Sequence, residues 1–364
     1  MSPITENTPQ TRDFQNDLPL HPAARDLLEY FFDSGWADPS KIHQQSTDLR
    51  NRLGVARESI AANLGIATTE LEVVGELGFA FQTAVSGLLA NRDNRFIFGA
   101  IDRQVIHGLA RVHRSHGGEV LTLEPDSQGL IDYQSSLTRD SDVISWQATN
   151  REVGAKQMAP KVQESQALFA DMTANFPLNA LPPRWDSAVW DPRIFGGPQG
   201  IAFVGIASNG LWRNPGPEID KRRVYGSFSK PLLLAAAVAL ENWMKTASDD
   251  LKCVTELNSA ARTMLHERIP SVQIASPVKG DPRFLAFVIP GVIAEELLRA
   301  VEKSGFLIDA GSACGAGALS PSHVLTAMGY PADGNLRVTL KPHHTKEVVR
   351  ELVEALVKGI AAGA

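Results

Sequence analysis

Between residues 71 and 206 short apolar runs alternate with longer stretches in which apolar residues recur at helical spacing. The run 71–74 precedes a helix expected near 79–89, and 95–98 precedes one near 103–113; 119–123, 143–146, 167–171, 187–190 and 201–206 continue the strands. This alternation predicts a parallel or mostly parallel sheet covered by helices, since parallel strands need crossovers and are buried on both faces. Ahead of it, 23–32 and 47–64 read as helices. Residues 1–18, polar and without periodicity, read as a loose arm. A helix over 231–245 closes a large domain of residues 19–250. Beyond it the rhythm becomes helix 257–269, strand 284–289, helix 294–304, strands 306–309 and 336–340, and a final helix to residue 360 with Thr345 as N-cap. These form a small α/β domain, 251–364, against which the first helix is a candidate to pack.

Composition narrows the class. The 364 residues are 43% hydrophobic and 21% charged, ordinary for a globular protein. The formal charge of −6, with Lys221-Arg222-Arg223 the longest basic cluster, argues against a nucleic-acid partner. Two cysteines, Cys253 and Cys314, make no disulfide framework, and no Cys/His spacing suggests a metal. The first residues lack the apolar run of a signal peptide, and no segment reaches about 18 uninterrupted apolar residues. A cytoplasmic protein without a membrane partner is expected.

Near the C-terminus stands Gly311-Ser312-Ala313-Cys314, then Pro321-Ser322-His323-Val324-Leu325 and Leu336-Arg337-Val338. The order resembles the cysteine desulfurase branch of the class V aminotransferases, pyridoxal-phosphate enzymes of fold type I. The resemblance extends to Asn150-Arg151-Glu152-Val153-Gly154, to Asp171-Met172-Thr173-Ala174, and without a gap over residues 186–200. It implies a large domain with a mostly parallel seven-stranded sheet, a small C-terminal α/β domain and a homodimer. It places Cys314 at the persulfide-carrying position and Arg337 at the substrate-carboxylate position. Asp171 falls where the family pairs with the pyridine nitrogen, Gly78 in the phosphate loop, and Gly226-Ser227 on the loop that reaches the neighbouring subunit's phosphate. A thiol in a Gly-rich loop suits the role of Cys314, though close packing of small residues explains the composition equally.

The Schiff-base lysine position holds Ile194, whose branched alkyl chain can neither form an imine nor carry a proton. The preceding His is Arg193, the Ser before it Asp191, and the Asn that touches the cofactor's phenolic oxygen is Arg151. The Gln near the ring is Ala174, the stacking His is Asp102, and the phosphate-loop Thr is Ala80. Arg103, Arg151 and Arg193 either bind an anion or pair with Asp102 and Asp191. Gly226-Ser227-Phe228-Ser229-Lys230 resembles the cofactor-lysine motif of class I/II aminotransferases; Lys230 is therefore either an alternative Schiff base or a solvent-facing lysine at a helix start.

Two functions remain open. One is a desulfurase-like protein that has lost imine chemistry, with pyridoxal phosphate retained or lost, serving as a binding or partner subunit. The other is an active desulfurase or aminotransferase using Lys230 or another lysine. On the first reading Asp171, with Arg151, Arg193 and Arg337, borders a cavity with one acid and several guanidinium groups, suited to a small anionic or amino-acid ligand. A sulfur-transfer protein is a further partner the resemblance suggests.

Overall fold

The computed structural model describes residues 10–15, 18–90, 93–217, 224, 228–311, 321–331 and 333–363. Its centre is one seven-stranded sheet, in the order β1-β7-β6-β5-β4-β2-β3. The strands are β1 (Leu71–Val74), β2 (Arg95–Gly99), β3 (Glu119–Leu123), β4 (Asp142–Gln147), β5 (Ala167–Asp171), β6 (Ser187–Trp190) and β7 (Ala202–Ile206). The pairs from β3 to β6 are parallel, and β7 runs antiparallel to both its neighbours. Every residue of β2, β4, β5, β6 and β7 is buried, which is why these strands read as continuous apolar runs instead of alternating ones.

Helices α1 (Pro22–Ser34), α2 (Gln44–Leu64), α3 (Leu77–Ser86) and α4 (Gln104–Ser115) cover the sheet. α5 runs from Lys230 to Arg268 as one helix of 39 residues. The boundary expected at residue 250 thus falls inside a continuous helix. No Gly or Pro follows Pro231 within it, and the polar stretch around Asp249, Asp250 and Lys252 is where the helix passes between two cores. Leu233, Leu240 and Trp243 pack in the core of the sheet, while Val254, Leu257 and Leu265 pack in a second core with α6 (Ala294–Lys303) and α8 (Lys346–Ala361). Thr345 caps α8 as expected, accepting from Val348 N at 3.2 Å.

The second core backs a three-stranded antiparallel sheet of β8 (Gln273–Ile274), β9 (Phe284–Val288) and β10 (Asn335–Thr339), in the order β10-β9-β8. The strand expected at 306–309 is reduced to isolated bridges, Leu307 to Asp13 and Asp309 to Arg337, because its backbone bonds are divided between two partners.

The arm expected to be loose is docked over residues 10–15. Phe14 is 0% exposed within the second core and its ring lies 4.0 Å from that of His344, centroid to centroid; burying it contributes about 1.5–3 kcal/mol. Thr339 N donates to Phe14 O, and Lys341 Nζ donates to Asp13 O at 2.6 Å. Conversely α1 packs along α5 in the sheet's core through Ala24, Leu28 and Phe31, not on the small domain. No helix among the described residues is long and apolar enough to cross a membrane.

Candidate functional site

Ligands of open α/β sheets bind beyond the carboxyl ends of the parallel strands. Here Asp102 follows β2, Asn150, Arg151 and Glu152 follow β4, Asp171 ends β5, and Asp191 and Arg193 follow β6. The small domain closes over them with Asp309, His323, Arg337 and Thr339, and the arm adds Gln15. Between them lies a cavity of about 400 Å³ lined by Asp102, Arg103, Gln147, Asn150, Arg151, Arg193, His323 and Arg337 among others, with Asp171 and Asp191 behind Arg103 and Arg193.

Its charges are matched side by side. Arg193 forks onto Asp191, with Nε 3.0 Å from both carboxylate oxygens and Nη2 2.6 Å from Oδ2; Arg151 Nη1 stands 3.8 Å from the same Oδ2. Arg103 Nε lies 3.3 Å from Asp171 Oδ2, and its Nη2 donates to Thr173 Oγ1 at 2.7 Å. The pairing expected between these arginines and Asp102 does not form; Asp171 takes that place for Arg103. Arg337 reaches Asp309 at 3.2 Å and Glu152 at 3.4 Å. Glu152 also accepts from Ser322 Oγ, which caps the short helix α7 (His323–Ala327), so this acid ties the two domains.

Asp102 is the odd acid. It is 1% exposed; Oδ2 accepts from Ser145 Oγ at 2.9 Å, while Oδ1 has no hydrogen-bond partner among the described residues. Burial, reinforced by the charge of Asp171, pushes its carboxyl up to about 8. A protonated Asp102 leaves four guanidinium groups (Arg103, Arg151, Arg193, Arg337) facing four carboxylates (Asp171, Asp191, Glu152, Asp309). Among the described residues the guanidinium groups of the cavity are thus matched in number by carboxylates. His323 lines it too, donating through Nε2 to Asp102 O at 3.0 Å with Nδ1 buried and unpartnered.

Ile194, 6% exposed, lines a separate, largely apolar cavity of about 50 Å³ with Phe176, Trp243 and Val254; Arg151 and Thr339 border both spaces. Lys230 lines neither, and its Nζ donates to Phe228 O at 3.3 Å. Gly78 opens a third cavity, about 460 Å³, walled also by Glu76, Arg103, Asp191, Arg193 and Gln199. Cys314 and Ser227, with Gly226, lie outside the described residues. No cluster of three or more potential metal ligands occurs among the described residues.

As a set the described side chains do not fit pyridoxal phosphate. No lysine among them lines the 400 Å³ cavity, Asp171 is engaged by Arg103, and the Glu76 carboxylate occupies the backbone amides at Gly78 and Phe79. Glu76, Glu152, Asp309 and His323 carry no role in the sequence reading. Glu76 was accessible to it, as an acid just ahead of a helix start; Asp309 and His323 became visible only when the small domain closed on the sheet.

No family model matches the chain. Curated relatives are cysteine desulfurases. A putative cysteine desulfurase IscS of Bacillus subtilis is 26% identical over 345 residues, 88% of this chain and 90% of that protein. The IscS of Clostridium botulinum is 24% identical over 352 residues, 90% of this chain and 88% of its own length. Among solved structures, a NifS-like protein superposes with a TM-score of 0.85 at 19% identity, covering 96% of this chain and 99% of that one. The cysteine desulfurase CsdA from Escherichia coli gives a TM-score of 0.77 at 15% identity, covering 96% and 94%. The fold is that of fold type I, class V enzymes, and the chain's relatives are cysteine desulfurases.

Proposed function

We propose that this relative of the cysteine desulfurases no longer performs imine chemistry on pyridoxal phosphate and uses the inherited cavity to bind a small polar ligand, acting as a binding or partner subunit. The observation that carries the proposal is the lining of the cavity beside Asp171: among the described residues it holds four arginines and no lysine. A guanidinium group stays protonated at any physiological pH and cannot serve as the amine of an imine. Ile194 faces an apolar space, and Lys230 is held at a backbone carbonyl away from the cavity. With charges matched around it, the cavity favours a ligand that is neutral overall, zwitterions included, over a small anion.

The test is direct. Purified protein mixed with pyridoxal phosphate is expected to develop no visible imine absorption, and borohydride treatment followed by peptide mapping to find no pyridoxyl-lysine. A reduced pyridoxyl group on Lys230 would reject the proposal and restore the reading as an active desulfurase or aminotransferase.

A further inference from the structure

The N-terminus of a helix collects backbone N–H groups and partial positive charge, and it attracts anions. At α3 that position is already filled. Glu76 Oε1 accepts from Gly78 N and Oε2 from Phe79 N, both at 2.7 Å. The carboxylate sits in space that exists only because residue 78 is glycine: a Cβ there would meet Glu76 Oε2 at 2.9 Å and Oε1 at 3.2 Å. Across the same 460 Å³ cavity the other charges are already matched, Asp191 by the Arg193 fork and Arg103 by Asp171, which leaves Glu76 as the acid held only by backbone amides in the described lining.

We propose that Glu76 is a resident substitute for a ligand phosphate: its carboxylate occupies the two backbone amides over Gly78 and restricts this cavity to ligands without a phosphate group. A phosphate monoester entering the cavity would have to displace Glu76 from two backbone amides. It would also bring about two negative charges close to the Glu76 carboxylate. A ligand lacking the phosphate meets neither obstacle. The inference deepens the proposed loss of cofactor chemistry by naming what the cavity rejects, and it stands on different residues from those that would form an imine.

Titration calorimetry on the full chain with inorganic phosphate, pyridoxal phosphate and pyridoxal separates the two claims. Wild type is expected to bind pyridoxal phosphate no more than about threefold tighter than pyridoxal, and to give no heat with millimolar phosphate. Glu76→Ala is expected to bind phosphate and pyridoxal phosphate at least tenfold tighter than wild type, with pyridoxal unchanged. Glu76→Gln, which removes the charge and keeps one acceptor, is expected to gain at least threefold, and it decides the matter should the alanine variant not fold. A wild type that prefers pyridoxal phosphate over pyridoxal by tenfold or more, or a folded variant with unchanged phosphate affinity, overturns the role of Glu76. A borohydride-trapped lysine in wild type would overturn only the loss of imine chemistry.

Discussion

Replacing Asp102 by asparagine should stabilise the protein by an amount that grows with pH. The carboxyl is 1% exposed, its Oδ2 held by Ser145 Oγ and its Oδ1 unpartnered, with Asp171 as the nearby like charge and Tyr133 in the same buried layer. Burial raises it to about 8, against an ordinary value near 3.8. Because the folded-state value is the higher one, the fold binds a proton that the unfolded chain releases. Asp102 therefore disfavours unfolding least above pH 8, and its contribution is intact only below about pH 4. Across the intervening window the wild type loses about 1.4 kcal/mol per pH unit from this group, roughly 4 kcal/mol between pH 5 and pH 8 as an upper bound. Asparagine keeps an acceptor for Ser145 and does not titrate. Urea unfolding of wild type and Asp102→Asn at pH 5, 6, 7, 8 and 9 gives the difference curve, in which groups common to both proteins cancel. It should rise from pH 5 to 8 and level off by pH 9. A flat difference would refute the claim that Asp102 is held protonated, and with it the charge balance assigned to the cavity.

Asp142→Ala strips the partner from Arg95, which meets Asp142 Oδ1 at 2.8 Å and Oδ2 at 2.9 Å where β2 and β4 begin, buried side by side; a loss of about 3–5 kcal/mol is expected in denaturant unfolding, and a loss below about 1 would show the pair to be dispensable. Phe14→Ala should cost about 3–5 kcal/mol and speed amide exchange over residues 10–15, whereas an unchanged exchange rate would mean that the arm is held by its backbone bonds alone. Light scattering should give twice 39.4 kDa, as the resemblance to a dimeric family implies and as the exposed apolar side chains of Phe32, Trp36 and Ile42 favour; a monomer mass over a wide concentration range would reject it.

The sheet was readable in the chain because its central strands are buried on both faces and so carry unbroken apolar runs, as Phe96-Ile97-Phe98 and Leu168-Phe169-Ala170 do. What local pattern cannot report is which long-range partner a segment finds. The helices expected over 231–245 and 257–269 are one unbroken helix, with Asp249 on its solvated side between the two cores. Phe14, a lone aromatic in a polar stretch, gave no periodicity, yet it fills a core built from residues more than two hundred positions away. The site divides in the same manner. Ile194, Arg151, Arg193 and Arg337 could be located by alignment, and Asp191 was among the acids foreseen for the arginines; Asp171 for Arg103, and Glu152 with Asp309 for Arg337, were not, because they meet only through the strand ends and the docked small domain.

The length of α5 has a mechanical consequence. At about 1.5 Å per residue, its 39 residues form a rod about 58 Å long that carries the apolar stripes of both cores on one uninterrupted backbone. A rod of this kind has no hinge. Swinging the C-terminal region open to admit a ligand would require bending it, and the docked arm at Phe14 braces the same region from the other side. Cutting the chain near residue 250 would not release two ready-made parts but would split the rod, leaving each half with an apolar stripe exposed to water.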